Sequence, residues 1–342
     1  VDHVGGRVKL IIGPMYARKC LGRDTPVIMH DGSVRMVQDI TEGEFVMGDD
    51  SSAREVTGVV SGRAPMYKVS PVNGNPFVCT DNHILSLKFT GHNVIYHDSA
   101  RMRYRAAWYR LHNGTPELVA RSFPYLSAAS KETARLSAEC CRAVARLSPN
   151  YIPEGATMDI SVTEYAGMPA CSRDLWMCYR VPVEYTQTQQ QMDPYVFGAW
   201  ICSHDGLFLT RSAVVLSRIK QRCKQINHTL CHVNNNGVVT CFVHGPTGII
   251  RRADTAGIPH EYICGSRDQR LALLAGILDN SSEVTGDINR YIHAFSHPDA
   301  KLVGDVARVA WSLGLEAVCT TTDSTHTVTI FGHNADLIPS IV

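Results

Sequence analysis

The chain has 342 residues, of which 19% are charged, and its formal net charge is +1 at pH 7. This length allows two or three hydrophobic cores, and the balanced charge means that any nucleic-acid surface must be local. No apolar run approaches the roughly 18 to 20 residues that span a bilayer, and a signal-peptide pattern is missing, so we expect a cytoplasmic or nuclear protein without a membrane partner. Twelve scattered cysteines without a C-x-x-C pattern favour reduced thiols.

Residues 1–19 predict a β-strand that runs into a loop. The stretch from Gly6 to Lys19 resembles the phosphate-binding opening of thymidine kinases, G-P-M-[FY]-x-G-K-[ST], in which glycines let backbone N–H groups reach phosphate. Arg18 stands at the glycine position and Cys20 at the Ser or Thr position, so we expect no ATP binding here. The resemblance implies that residues 1–19 are a host fragment, an N-extein. A leader strand of no special origin is the alternative.

Residues 20–87 predict a β-rich segment with a thiol at one end and a histidine near the other. Asp31-Gly32 lies between apolar runs, which is a strong hairpin signal. Cys20 could attack the carbonyl of the amide that precedes it, provided that a group such as His83 protonates the amide nitrogen. The alternative is a small β domain in which Cys20 and His83 have no shared role.

The order and spacing of short motifs in this segment resemble the N-terminal splicing blocks of inteins, members of the Hint family of self-processing domains. These motifs are Cys20-Leu21 with Thr25 and Val27, Asp31-Gly32-Ser33, Gly43 to Gly48, Arg54-Glu55-Val56, and Thr80-x-x-His83. The resemblance implies that Cys20 performs an N-to-S acyl shift on the Lys19 carbonyl, without a cofactor. It also implies that Thr80 and His83 hold and protonate the scissile Lys19–Cys20 amide. Asp39 is a candidate helper whose other role is that of a turn residue.

From about Lys88 to Thr157 the splicing pattern stops and the sequence becomes basic. Nine basic residues face three acidic ones between positions 101 and 146, and aromatic residues alternate with the first arginines. Such a mixture suits a DNA-contacting insert. The candidate contacts are Arg101, Arg103, Arg105, Trp108 and Arg110. The alternative is a solvated helix face, since residues 127–147 predict a helix with Leu136, Cys140, Val144 and Leu147 along one side.

Two similar apolar helices are predicted about eighty residues apart, after a second strand-like segment (158–185) and a polar linker (186–191). They cover residues 196–204 and 274–282. Each has a small residue at the same place, so the two helices can pack backbone to backbone. Strand-like and then helical sequence follows each of them, at 212–226 and 298–313, which indicates an internal repeat.

Together with residues 310–315, these helices resemble the LAGLIDADG homing endonucleases, specifically the double-repeat kind inserted in inteins. In that family an acid near the end of each paired helix holds the divalent metals that activate water. Here the acid positions hold Ser203 and Ser281, and Asp205 and Asp279 are candidate offset acids. A hydroxyl brings no charge to offset a cation, so we expect that cleavage is lost and DNA affinity kept. Mg²⁺ would be needed only if the endonuclease is active.

Two further motifs carry less weight. A cluster of residue types that bind zinc occurs at His228, Cys231, His232, Cys241 and His244. Their spacing matches no zinc module, so we expect no metal site there. His333-Asn334 resembles the end of an intein, but the Ala335 that follows cannot accept an acyl group. We therefore expect the C-terminal splicing blocks to be absent from this chain.

The sequence predicts a mixed fold: an all-β Hint splicing domain plus an α+β double-repeat LAGLIDADG endonuclease domain. The expected boundaries are 1–19 for the N-extein, 20–98 for the N-terminal Hint part, 99–186 for the basic insert and return strands, and 187–342 for the endonuclease. The expected function is autocatalytic splicing chemistry, with double-stranded DNA and the host extein in cis as partners, in a monomer. The alternatives are a DNA-binding or active homing endonuclease with an inert Hint part, and a fragment of a thymidine kinase host.

Overall fold

A computed structural model describes residues 2–12, 20–71, 76–201, 208–210, 212–235, 238–245, 248–249, 257–284, 292–322, 324–331 and 335–340. The chain divides into two compact units. Unit 1 comprises Val1–Arg23, Val60–Val69 and Phe77–Tyr179, and unit 2 comprises Asp24–Val59, Ser70–Pro76 and Arg180–Val342. Within these described ranges no helix combines the length and the apolar character that a membrane crossing requires.

The first half of the chain is mostly strands. In chain order its elements are β1 (Asp2–Ile12), β2 (Cys20–Gly22), β3 (Pro26–Ile28), β4 (Val34–Met36), β5 (Phe45–Met47), β6 (Ala53–Glu55), β7 (Gly58–Val69), β8 (Phe77–Thr80), β9 (Ile84–Phe89), β10 (Val94–Asp98), β11 (Arg103–His112), β12 (Thr115–Pro124), α1 (Ala128–Ala145), β13 (Thr157–Ser161), α2 (Val162–Gly167), α3 (Ala170–Arg173) and β14 (Trp176–Met177). A short 3-10 turn, Val37–Asp39, lies between β4 and β5.

The strands next to Cys20 form a closed barrel in the order β1-β2-β8-β7. Strand β2 is antiparallel to β1, with Leu10 opposite Cys20, and also to β8, with Leu21 opposite Cys79. The strand predicted within residues 1–19 is thus confirmed. Because β2 and β8 are antiparallel, this register puts Cys20 beside Thr80.

Strand β9 carries the core of unit 1 and pairs with β13 and β14. Leu85, Leu87 and Phe89 are buried while the residues between them are exposed, as the period of two in a strand requires. Trp176 packs on the ring of Phe89, with centroids 5.2 Å apart. The insert lies in the chain between β9 and β13, so the pairing of these two strands brings the two ends of the insert together.

The insert folds as a three-stranded sheet, β10-β11-β12, with α1 packed on one face. Asn113 and Gly114 join β11 to β12, and both have positive φ, at 49° and 78°, as a two-residue type I′ hairpin turn needs. Ser127 caps α1 through a reciprocal pair of hydrogen bonds with Ser130. The helix predicted at 127–147 is therefore confirmed.

The face of α1 that meets the sheet is not the predicted one. Ala134 and Ala138 are the buried residues of the helix, and Ala138 packs in a cluster with Ala106 and Trp108. All four predicted inner residues, Leu136, Cys140, Val144 and Leu147, are exposed instead. The large rings on the sheet side leave room only for alanines, so the larger apolar residues of α1 lie on its outer side.

Unit 2 contains two short hairpins, β3–β4 and β5–β6. The first is the hairpin predicted from Asp31-Gly32: Ile28 lies opposite Val34, and the Asp31 carboxylate accepts hydrogen bonds from the Ser33 N–H at 2.8 Å and the Ser33 hydroxyl at 2.6 Å. Gly32 has a φ of 82°, and a Cβ there would lie 2.2 Å from the Cys264 Sγ. A glycine is required at this turn on both counts.

The C-terminal part of unit 2 mixes helices and strands. Its elements are α4 (Pro194–Ile201), β15 (Phe208–Thr210), α5 (Ala213–Gln225), β16 (Thr229–Asn235), β17 (Val238–Gly245), β18 (Gly248–Ile249), α6 (His260–Ile263), α7 (Arg267–Ser281), β19 (Ser282–Val284), β20 (His293–His297), α8 (Ala300–Ser312), β21 (Glu316–Thr322) and β22 (Thr325–Phe331), followed by a 3-10 turn at Ala335–Leu337.

The predicted internal repeat is confirmed by the strand order. In each copy an apolar helix is followed by a strand, a 13-residue helix and a hairpin, namely β15, α5 and β16–β17 in the first and β20, α8 and β21–β22 in the second. In each copy the strand before the second helix pairs with the last strand of the hairpin. Helices α5 and α8 begin at the capping residues Ser212 and Asp299.

The helices α4 and α7 pack backbone to backbone, as their small residues predict. A Cβ on Gly198 would lie 2.2 Å from the Leu273 carbonyl oxygen, and one on Gly276 would lie 2.0 Å from the Tyr195 carbonyl oxygen. These helices form the centre of the larger core, whose members include Leu273, Leu274 and Ile277. Only glycine permits such a short distance between two helix backbones.

The polar linker before α4 is anchored to the same core. Gln269 donates to the Thr188 carbonyl at 2.8 Å, and the Thr188 hydroxyl donates to the Glu261 carbonyl at 2.6 Å. Nearby, the fully buried Arg270 donates to the carbonyls of Gly265, Ser312 and Val183. Buried charge is tolerated only when its donors are satisfied, so Arg270 ties three segments of the chain together.

Candidate functional site

Cys20 and Thr80 are brought together by the β2–β8 ladder. Thr80 is 3% exposed, Cys20 is half-buried, and the β2–β8 register places the two residues opposite each other. Burial raises the pKa of Cys20, the Thr80 hydrogen bond lowers it, and the negative charge of Asp81 raises it further. The net effect is upward, so the thiol is protonated at neutral pH.

The turn from Thr80 to His83 is organised by its own hydrogen bonds. The His83 N–H donates to the Thr80 carbonyl at 3.1 Å, and the Thr80 hydroxyl donates to the Asn82 Oδ1 at 2.8 Å. The His83 ring meets the Phe77 ring edge-on, with centroids 6.4 Å apart. These contacts fix the backbone of the turn and one side of the imidazole.

A segment from beyond the insert holds this turn from outside. The Val162 N–H donates to the His83 carbonyl at 2.9 Å. Thr163 donates to the Asp81 carbonyl twice, from its N–H at 3.1 Å and from its hydroxyl at 2.9 Å. Sequence reasoning missed Thr163, although the capping box formed by Ser161 and Glu164 at the start of α2 was visible as S-x-x-E.

The structure says less about two other residues of the predicted splicing site, Lys19 and Asp39. Lys19 lies outside the described residues, so the predicted scissile bond is seen only from its Cys20 side. Asp39 ends the 3-10 turn Val37–Asp39 and is exposed. The structure therefore places Asp39 as a turn residue, and a helper role for it stays a prediction.

Among the predicted endonuclease positions, Ser203 and Asp205 lie outside the described residues, and Ser281 ends α7 with its side chain outside them. Asp279 is described and buried. Its carboxylate accepts hydrogen bonds from the Tyr195 hydroxyl at 2.8 Å and the Ser340 hydroxyl at 2.5 Å, and it lies 3.6 Å from the Arg218 guanidinium. These partners occupy Asp279 within the protein, so it does not fit the role of a metal-binding acid.

No group of three or more His, Cys, Asp or Glu side chains lies close enough to hold a metal ion in the part of the chain that the structure describes. Of the zinc-compatible residues, Cys231 and His232 lie on β16, and His232 pairs with the buried Cys241 of β17. The strand pairing and burial of these residues account for their positions.

The five predicted DNA contacts divide between the two faces of the insert sheet. Alternation along β11 puts Arg103 and Arg105 on the face away from α1, and Trp108 and Arg110 on the face towards it. Trp108 is 8% exposed and packs against Ala138, so its ring is a core residue and not the stacking surface that the sequence predicted.

The arginines have different environments. Arg101 is 71% exposed, with its guanidinium 3.9 Å from the Asp98 carboxylate, and Arg103 pairs with the same carboxylate at 3.1 Å. The Arg105 guanidinium lies over the Tyr96 ring, 5.6 Å from its centroid. Arg110 pairs with Glu117 at 2.8 Å. The open face therefore combines the half-buried Arg103 and Arg105 with an aromatic ring, and Asp98 offsets part of the charge of Arg101 and Arg103 as Glu117 does for Arg110.

Residues 20–135 match the sequence model of a family described as Hom_end-associated Hint. No curated protein matches the chain. With the strand and helix order, the family match confirms the expected mixed fold, an all-β Hint-type part followed by an α+β double repeat. The match covers about a third of the chain, so it defines a class of domain and leaves the remaining residues to be described by their own structure.

Several solved structures are similar to part of the chain. A crystal structure of I-DmoI in complex with DNA and Mn is 10% identical, covers 40% of this chain and 88% of its own, and has a TM-score of 0.29. The N-terminal LAGLIDADG domain of DUF199/WhiA is 8% identical, covers 42% and 78%, and has a TM-score of 0.33. Identities and TM-scores this low support no argument about the chain. The two repeats described above are identified from their own strand order.

Proposed function

We propose that this chain is an intein-type self-processing protein in which Cys20 attacks the peptide bond that precedes it. The observation that supports the proposal is the β2–β8 register, which places Cys20 beside the buried Thr80 on two strands that lie within the residues matching a Hint family. The thiol and Thr80 come from strands that pair directly, and His83 lies in the turn that follows β8.

The proposed reaction is an N-to-S acyl shift. The Cys20 sulfur bonds to the Lys19 carbonyl carbon, the bond from that carbon to the Cys20 nitrogen breaks, and the thiol proton moves to the departing nitrogen. The product is a thioester with a free α-amine on Cys20. Thr80 orients the sulfur, and His83 delivers the proton to the nitrogen, because an amine leaves only when it is protonated.

Mass spectrometry after addition of excess dithiothreitol tests this reaction, since a thiol traps the thioester and releases residues 1–19. Release is expected from the wild type and from Cys171→Ala, which removes another exposed cysteine, but not from Cys20→Ala. Thr80→Val should slow the release by about tenfold to a hundredfold. An unchanged mass for the wild type, or release from Cys20→Ala, would refute the proposal.

We also propose that the open face of the insert binds double-stranded DNA. Arg103 and Arg105 lie there beside Tyr96, Arg101 lies in the turn that leads into β11, and residues 101–146 carry six more basic than acidic side chains. Phosphate contacts release counterions, so affinity should fall as salt rises. Arg101→Ala with Arg105→Ala should weaken binding and reduce the slope of log K against log salt by about 2.

Arg135 provides a matched control for this binding test. It lies in α1 and pairs with both Glu132 and Glu139 of the same helix. Arg135→Ala should leave the salt slope unchanged. An equal effect of Arg135→Ala would mean that only net charge matters, and the assignment to the open face would fail.

The endonuclease part is proposed to have lost cleavage while the fold persists. Ser203 and Ser281 stand where acids are expected, and the described alternative, Asp279, is paired with Arg218. Incubation with Mg²⁺ and DNA that carries the uninterrupted host gene should give no double-strand break. We also propose that residues 1–19 are a thymidine-kinase-like extein. Sequencing of the coding region tests this part of the proposal.

A further inference from the structure

Helix α1 exposes an apolar stripe on its outer side. The stripe consists of Leu136 (47% exposed), Cys140 and Val144 (67%) on the helix, and continues to Leu147 (83%), two residues past its end at Ala145. On a helix this spacing forms a single seam, the arrangement by which one helix packs along another. The stripe is the side that sequence reasoning assigned to the core, and in the folded chain it meets solvent.

The stripe is symmetric about its centre. Leu136 and Val144 lie four residues on either side of Cys140, and Thr133 and Leu147 lie seven residues on either side. Ser137 and Ala143, three residues on either side, are small and exposed, so a partner helix can lie close. A two-fold interface requires a surface that is complementary to itself, and a seam symmetric about one residue meets that condition when two copies run antiparallel.

The charges beside the seam favour the same orientation. Glu132 precedes the stripe and is 62% exposed at its side chain, and Arg146 follows on the same flank, two heptads later. The Arg146 guanidinium has no ion-pair partner within the ranges that the structure describes. Antiparallel pairing brings each Glu132 to the Arg146 of the other copy, whereas parallel pairing puts this flank of one copy on the opposite side of the seam from the same flank of the other. Antiparallel helix dipoles also attract.

A like-charge contact near the axis is offset within each copy. Glu139 lies next to Cys140, so the two copies would bring their Glu139 side chains close to each other. Arg135 of the same helix pairs with Glu139 and also with Glu132 at 2.6 Å. Because Arg135 is shared between the two carboxylates, its single charge offsets part of the negative charge at the axis.

We propose that α1 is a homodimer contact, in which the helices of two copies pair antiparallel about Cys140. A single pair of 18-residue helices buries well under the ~1,200 Å² of a standard interface, so the dimer is weak and dependent on concentration. This differs from the monomer expected from sequence. It does not depend on the proposed self-processing.

Cys140 allows the contact to be captured. On the axis its thiol meets the thiol of the second copy, and diamide accepts two hydrogens as the two sulfurs form a disulfide. We expect a covalent dimer from the wild type and from Cys319→Ser, another exposed cysteine, and none from Cys140→Ser. Formation of the dimer by Cys140→Ser at the wild-type rate would overturn the proposal.

Substitutions in the stripe test the geometry. Val144→Lys should slow cross-linking by about tenfold or more, because it puts a charge in the seam. Leu118→Lys, at a 55% exposed leucine of the insert sheet, should not. Glu132→Arg or Arg146→Glu alone should slow cross-linking by roughly threefold, and the two together should restore it. Wild-type rates for Val144→Lys, or no rescue by the double variant, would refute the antiparallel pairing.

Discussion

The contact between α4 and α7 makes a prediction about a single methyl group. Replacing Gly276 by alanine puts a Cβ 2.0 Å from the Tyr195 carbonyl oxygen and 3.0 Å from the Ala199 nitrogen. Both neighbours are backbone atoms of a helix, so neither can rotate away as a side chain would. The two helices would have to separate by roughly 1 Å, in the most closely packed part of the core.

The expected cost follows from two opposing effects. Alanine gains about 1 kcal/mol over glycine in a helix interior. Overpacking a core costs about 1–3 kcal/mol when side chains can adjust, and more when backbones must move. We therefore expect Gly276→Ala to lower the free energy of unfolding by about 2 kcal/mol or more, which urea titration monitored by circular dichroism measures.

Gly304 is the matched control. It lies within α8, and an added Cβ meets nothing within 4 Å. Gly304→Ala should therefore raise stability by about 0.5–1 kcal/mol through helix propensity alone. If Gly276→Ala proved as stable as the wild type while Gly304→Ala behaved as expected, the close helix contact would be refuted.

Four further outcomes are expected. Thr163→Val removes the hydrogen bond from the hydroxyl to the Asp81 carbonyl but keeps the one from the N–H. Thiol-induced cleavage should therefore slow by about fivefold, while the free energy of unfolding changes by no more than ~1 kcal/mol. Thr163→Ser should restore the cleavage rate. Asp81→Asn removes a charge that raises the pKa of Cys20, so the rise of cleavage rate with pH should move to lower pH. Burial lowers the pKa of His293 below 6.5, so the unfolded chain binds a proton at a higher pH than the folded chain does. The free energy of unfolding should therefore fall as the pH drops below 6.5. His293→Phe should reduce this pH dependence in urea titrations. Asp279→Asn replaces a buried carboxylate that accepts hydrogen bonds from the Tyr195 and Ser340 hydroxyls and should cost about 1–3 kcal/mol by the same assay; a neutral result would contradict the structural role of this acid.

The insert shows where sequence patterns succeed and where they fail. The periodicity of residues 127–147 predicts α1 correctly because helix formation depends on local pattern, and the cap at Ser127 is a local hydrogen bond as well. The orientation of α1 is not local: Trp108 fills the space above the sheet, so Ala134 and Ala138 face it although larger apolar residues lie on the opposite side. A rule that ranks residues by hydrophobicity cannot know the size of the partner surface.

The candidate site divides in the same way. The Thr80-x-x-His83 motif is local, and its turn could be predicted from the sequence. Thr163 is 82 residues away from the Asp81 carbonyl that it bonds, and only the β9–β13 ladder brings it there, with Ser161 opposite Ile84. The residue that supports the turn follows the insert in sequence, so the insert must fold without separating these two strands.

The charges around Cys20 bear on when the site would react. Burial and Asp81 both raise the pKa of its thiol, and the Thr80 hydrogen bond only partly opposes them. A protonated thiol is a poor nucleophile, but it carries the proton that the leaving nitrogen needs, so the same arrangement that slows attack supplies the next step. In the proposed reaction, His83 passes the proton from sulfur to nitrogen. The turn that holds His83 is therefore as important to the proposed chemistry as the sulfur itself.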